Sequence, residues 1–238
     1  MRMNPSGLGL QVTQLLKLTV PALFVLYVLQ LLMGSWLGWP VEQWLFMSPI
    51  SGGHWRPWQP LTALLFNSSP ISALLDWLVL GWFLGPAEQA LGRKRLLGAM
   101  ATAALGAGAL TTGLDAIGLL AGGGVFVGLE PILTGLVVIF GMAHPNATIR
   151  LFFVLPIKAQ WLAWGSGVLA LLFFLAQRDL SSAMYLFGWV STFAFMSLRE
   201  DFFRQMWLRW KARKHEKELG KFTVIKGGKD ENGDDWVN

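Results

Sequence analysis

Two carboxylic acids lie inside apolar stretches of this chain. Asp76 falls within the run Ile71 to Leu91, and Glu130 heads Gly128-Leu129-Glu130-Pro131-Ile132-Leu133-Thr134-Gly135. An ionisable group at membrane depth is expensive and usually faces the interior of a helix bundle. Carboxyls so placed can hold or pass a proton, so a proton or solute pathway through Asp76 and Glu130 is one reading of the chemistry. The plainer reading leaves Glu130 solvated and idle at the outer interface. Acyl transfer needs an activated hydroxyl or thiol, a part a carboxylate does not play. Ser191 and Ser197 lie in the last apolar run, which has no histidine to serve as base. His54, His144 and His215 are scattered without ligand spacing, and there is no cysteine, so disulfides and thiolate metal sites are excluded. No metal or cofactor is expected.

The elements that must position these acids are membrane helices. Of 238 residues, 54% are apolar and only 14% charged, whereas a soluble domain carries about a quarter charged residues. Six segments are long and apolar enough to span a bilayer, which takes about twenty residues each. They run from about Leu18 to Trp39, Ile71 to Leu91, Leu96 to Leu114, Val125 to Met142 with its start around Glu130, Gln160 to Ala176 and Ser181 to Leu198. The expected fold is an all-α membrane bundle. Residues 1–17 form a cytoplasmic N-terminal segment, 18–198 the six-span domain and 199–238 a cytoplasmic helix and tail. The first span is too long for a cleavable signal and lacks a small-residue cleavage site. Paired broken helices in two halves, the mark of a transporter, are not seen.

Orientation follows from the connections. Arg2, Lys17, Arg93, Lys94, Arg95, Arg150 and Lys158 fall on one side with the basic tail, against Arg56 and Arg178 on the other. The positive-inside rule places both termini in the cytoplasm. The loop from Pro40 to Pro70 carries Trp44, Phe46, Trp55 and Trp58 with little charge, and is expected to lie partly in the outer interface.

Several motifs occur in a telling order. Trp58-Gln59-Pro60-Leu61-Thr62 leads into the second span. Gly85-Pro86-Ala87-Glu88-Gln89-Ala90-Leu91-Gly92-Arg93 closes it, and Leu155-Pro156-Ile157-Lys158-Ala159-Gln160-Trp161 opens the fifth. With Gly128 to Gly135, the region from about residue 17 to 198 resembles the rhomboid intramembrane serine proteases. That resemblance implies a fold signature of Gly85, Glu88, Gly92, Gly128, Gly135 and Gly188. It also implies that the nucleophilic serine is replaced by Glu130 and the following glycine by Pro131. Aligning the family's His-x-x-Gly on Gly188 puts Tyr185 at the base position, where an unperturbed pKa near 10 makes a poor base. The oxyanion-binding His-x-x-x-Asn becomes Ser72-x-x-x-Asp76, and the histidine that often precedes it becomes Asn67. An ionised aspartate would repel an oxyanion. The chain thus resembles a catalytically inactive rhomboid-like pseudoprotease.

On that fold Asp76, Glu130 and Tyr185 would face one cavity, and the two carboxyls would share a proton in a structural clasp. Pro131 would distort the turn that aims a nucleophile. Glu88 and the Arg93-Lys94-Arg95 cluster read as an ion-paired turn bent at Gly92. The expected function is binding of transmembrane clients, or scaffolding of a membrane complex, in a bacterial inner membrane. The alternatives are an active intramembrane endopeptidase with an unrecognised dyad and the proton or solute pathway.

Ten of the nineteen Lys and Arg lie between Arg199 and Lys229. Asp201 to Leu219 places Phe203, Met206, Trp207 and Trp210 on one stripe, a pattern suited to the anionic cytoplasmic surface; a simple continuation of the sixth span is the alternative. No nucleic-acid motif accompanies the charge. After the acidic stretch Asp230 to Asp235, Trp236 joins Trp207 and Trp210 as a partner-binding candidate.

Overall fold

The computed structural model of the chain describes residues 13–121, 124–151 and 155–198. Eight helices carry most of these residues: α1 Gln14–Leu31, α2 Val41–Leu45, α3 Gln59–Thr62, α4 Pro70–Leu91, α5 Arg93–Ala116, α6 Glu130–Ala143, α7 Ala159–Gln177 and α8 Leu180–Ser197. The expectation of a mainly helical protein holds. Four stretches, Gln14–Trp36, Pro70–Leu91, Arg93–Ala116 and Ala159–Gln177, are long and apolar enough to cross a membrane. The expected C-terminal helix, with Trp207, Trp210 and Trp236, lies outside the described residues.

The bundle is built around α6. Pro131, Leu133 to Leu136 and Val138 to Gly141 are all buried, whereas α4 and α7 turn apolar faces outward. Leu74, Leu75, Leu78 and Trp82 on α4 are exposed, as are Trp161, Val168 and Leu172 on α7. In water such contiguous apolar surface would be a liability; against acyl chains it costs nothing. Close helix approach is set by small residues. A Cβ at Gly188 of α8 would fall 2.6 Å from the Pro131 Cα of α6, and one at Gly135 would fall 2.5 Å from the Thr192 hydroxyl. The aromatic edge of Phe83 meets Phe140 at 5.5 Å, joining α4 to α6.

The loop between α1 and α4 is folded rather than extended. Gln59, wholly buried, is its hub. Its Oε1 accepts the N–H groups of Ser48 and Arg56, and its Nε2 donates to the carbonyls of Gln43 and His54. Thr62 donates to the Leu45 carbonyl at 2.8 Å, and the Trp58 indole donates to the Trp44 carbonyl. The Arg56 guanidinium lies 3.6 Å over the Trp44 ring, a cation–π contact that lets a charge sit among aromatics. At the loop's end, Gln30 of α1 holds the Asn67 backbone by two hydrogen bonds.

One expectation changes, and two elements gain detail. α6 starts at Glu130, where the start was expected, and Val125 to Leu129, inside the expected apolar run, is non-helical. At 14 residues, α6 is about 21 Å long, short of the roughly 30 Å hydrocarbon core. α7 begins at Ala159, one residue from the expected Gln160, and is preceded by an antiparallel strand pair, Thr148–Leu151 with Leu155–Lys158, in register Thr148 to Lys158. The ion-paired turn after α4 is not formed. Gly92, at φ +78, lets the chain leave α4 and enter α5 at once, and its N–H bonds the Glu88 carbonyl. The Glu88 carboxylate Oε2 is shielded without a hydrogen-bond partner, while Arg93, Lys94 and Arg95 are exposed. The sharp reversal at Gly92 starts a new helix on the basic residues and carries them outward along α5.

Candidate functional site at the head of α6

Buried non-helical backbone is tolerated only where its polar groups are met inside the protein. The segment before α6 meets this condition. The Phe126 N–H donates to the Met47 carbonyl and the Met47 N–H to the Phe126 carbonyl, at 2.8 and 3.0 Å. The Gly128 N–H donates to the Ala63 carbonyl at 3.0 Å. The Leu129 N–H donates to Asp76 Oδ2 at 3.3 Å, in a buried setting. Thus Asp76 of α4 caps α6 from outside it, where a carboxylate suits the positive end of a helix.

Glu130 is the first residue of α6. It is half-buried, and its Oε2 is fully shielded with no hydrogen-bond partner. Gly128, at φ +141, has no side chain to compete for this space: a Cβ there would fall on the Glu130 carboxylate. Pro131 does not distort the turn. It occupies the first turn of α6, where its fixed φ fits and its missing N–H would have had no intrahelical partner.

Asp76 and Glu130 lie close enough for their charges to interact, and Tyr185 of α8 lies within reach of the Glu130 charge. The three positions are therefore brought together. The clasp is not the observed arrangement: Asp76 is engaged by the Leu129 N–H rather than by Glu130, and the Glu130 Oε2 has no partner. Ser72 stands apart from this chemistry. It forms a capping box with Ser69 at the start of α4, its hydroxyl donating to the Ser69 carbonyl at 2.9 Å. Asn67 is buried at the end of the loop, its backbone held by Gln30.

Of the glycines in the expected fold signature, Gly128 shapes the Glu130 site, Gly135 and Gly188 bring α8 onto α6, and Gly92 turns the chain. Gly85 is buried next to Pro86, through which α4 runs without a break. Two positioning groups escaped the sequence reading. Gln59 sat inside a recognised motif, with nothing to distinguish its amide from a surface one. Asp179 and Ser182 form a box at the head of α8, with the Ser182 N–H donating to Asp179 Oδ1 at 2.9 Å. The spacing Asp179-x-x-Ser182 ahead of an apolar run was a usable signal.

Among the described residues no group of three His, Cys, Asp or Glu side chains is placed to hold a metal ion. Compared with known proteins, the chain matches no family model and none of the curated proteins.

Proposed function

We propose that the chain is a catalytically inactive, rhomboid-like integral membrane protein that binds transmembrane clients or scaffolds a membrane complex. In this reading it has six spans and sits in a bacterial inner membrane with both termini cytoplasmic. The short α6 and the 18-residue α8 supply the two spans beyond the four long helices. Enclosure of α6 by its neighbours relieves it of reaching both surfaces. The loop ends support the topology. The Ala121 N–H meets the Arg178 carbonyl, and the Ile50 N–H meets the Asp115 carboxylate, as expected if these connections share one side.

The observation that carries the reading is the head of α6. A protease would need an activated nucleophile and free N–H donors aimed at the developing oxyanion. Here Glu130 occupies the nucleophile position of the resemblance, and the Gly128 and Leu129 N–H groups are already engaged. Pro131 has none to offer. The unpartnered Glu130 Oε2 is closed off among its neighbours, so a client helix bearing a hydrogen-bond donor would satisfy it by displacing one of the helices packed against α6.

Two measurements test this. The purified full chain should not label with a serine-directed fluorophosphonate and should not cut a generic rhomboid substrate. Cleavage abolished by Glu130→Ala would overturn the proposal. Crosslinking in native membranes should recover transmembrane proteins, fewer of them from Glu130→Leu; recovery of none would remove the client-binding role. We assign a docking role to the tail as well, through Trp207, Trp210 and Trp236 beside an anionic lipid surface. Deleting 221–238 should change the recovered set, and an unchanged set would confine binding to the membrane domain.

A further inference from the structure

α4 turns Asp76 toward α6 and, one residue on, turns Trp77 toward α1. Between α1 and α4 a groove of about 470 Å3 opens on the outside of the bundle, walled by Lys17, Val20 and Pro21 of α1 and by Trp77, Leu78 and Gly81 of α4. The walls are almost wholly apolar, and the polar features are few and specific. Lys17 is exposed and is the one charged residue in the lining. The Trp77 indole N–H is shielded and has no hydrogen-bond partner. Phe24 and Tyr27 pack edge-on against the Trp77 ring, at 5.8 and 6.1 Å between centroids, and fix its orientation.

We propose that this groove is a binding site for one anionic phospholipid of the leaflet on the Lys17 side. An acyl chain lies along Val20, Pro21, Leu78 and Gly81. The lipid phosphate pairs with the Lys17 ammonium, and the Trp77 ring walls the acyl chain. Charge complementarity selects this occupant. An apolar helix, from a second copy or a client, would fill the walls but leave a lysine at the hydrocarbon edge without a partner. A zwitterionic lipid would satisfy the lysine less well, because its own ammonium competes. The site requires only that α1 and α4 cross a bilayer, so it stands or falls separately from the role of Glu130.

The test uses the full chain, purified in detergent and loaded with equal phosphatidylglycerol and phosphatidylcholine of identical acyl chains, with retained lipid read by native mass spectrometry. Phosphatidylglycerol is expected to be retained preferentially. Lys17→Gln should lower the ratio of the two lipids about fivefold, the scale of one basic residue beside an anionic headgroup. Lys17→Arg should restore it, and Val20→Phe, which fills the groove, should lower retention of both lipids. The basic tail contributes equally in every variant, so the Lys17 differences read the groove alone. Phosphatidylglycerol with a photoactivatable acyl chain should crosslink to 16–21 and 77–81 in preference to the exposed face of α7. Equal ratios in wild type and Lys17→Gln, or crosslinks no denser at the groove than on α7, would overturn the proposal.

Discussion

Removing the Asp76 carboxylate would strand the Leu129 N–H at the head of α6. A buried donor left without an acceptor costs about 1–3 kcal/mol, so Asp76→Leu is expected to destabilise the folded protein by that amount. Asp76→Asn keeps an acceptor oxygen and should cost less than half as much. Steric-trapping or reversible detergent denaturation measures both, and equal losses from the two variants would show that the 3.3 Å bond contributes nothing. His144, just past the end of α6, gives a second residue-scale test. Burial lowers its pKa below the ordinary histidine range, so the folded state binds the proton less readily than the unfolded one. Its contribution is complete above about pH 6.5 and declines as pH falls from there toward the folded value. Stability should therefore drop between pH 7 and 5, and His144→Phe, which keeps a ring against Phe140, should flatten that part of the profile. An unchanged slope in the variant would sink this assignment.

At the scale of elements, the contact between α8 and α6 has no slack. Gly188 lies directly on the Pro131 backbone, and overpacking of this kind costs about 1–3 kcal/mol even when the structure can yield. Gly188→Val is expected to lose at least that much, and to lose compact α8 packing as seen by protease access to the α7–α8 turn; wild-type stability would contradict the geometry. Gln59 organises the long loop in the same way that Gly188 organises the helices. Gln59→Leu removes four hydrogen bonds and leaves their backbone partners unmet. The loop should then become sensitive to added protease while helical circular dichroism stays near wild type. Protection equal to wild type would show that the aromatic contacts alone hold the loop.

These elements also show what was readable beforehand. Long apolar runs announced α4, α5 and α7 to within a few residues and α1 less closely at its end, because twenty apolar residues have few other uses. The start of α6 was legible around Glu130, but not the fold of Val125 to Leu129, because hydrophobicity continues through it into the helix while the bonds that hold it non-helical come from Met47, Ala63 and Asp76, distant in sequence. Pairing of Arg93 with Glu88 looked natural from spacing but depends on where Gly92 sends the chain. Asp76 was conspicuous as an acid in an apolar run. Its partner, a backbone N–H, carries no sequence signal at all.

For the whole molecule, the six-span reading makes a sidedness prediction that the native lack of cysteine makes clean to test. Ser51→Cys, in the loop before α4, and Asn146→Cys, in the turn after α6, are both at exposed positions. An impermeant maleimide applied to spheroplasts should label the first and spare the second, and inverted vesicles should reverse the pattern. Labelling of both from one face would break the count. The pairing of Met47 with Phe126 carries a consequence for how the protein is made. Its two halves leave the ribosome far apart in time, with α4 and α5 emerging in between. Until the early loop is in place, the peptide groups ahead of α6 have no acceptors, and a helix this short gains little from entering lipid alone. On the six-span reading, insertion of α6 should therefore depend on the earlier loop as a template, a docking onto a bundle already begun rather than the entry of an isolated helix into lipid. Deleting 41–65, which removes the Met47 and Ala63 partners, should leave this segment outside the bilayer, and unchanged insertion would contradict the dependence.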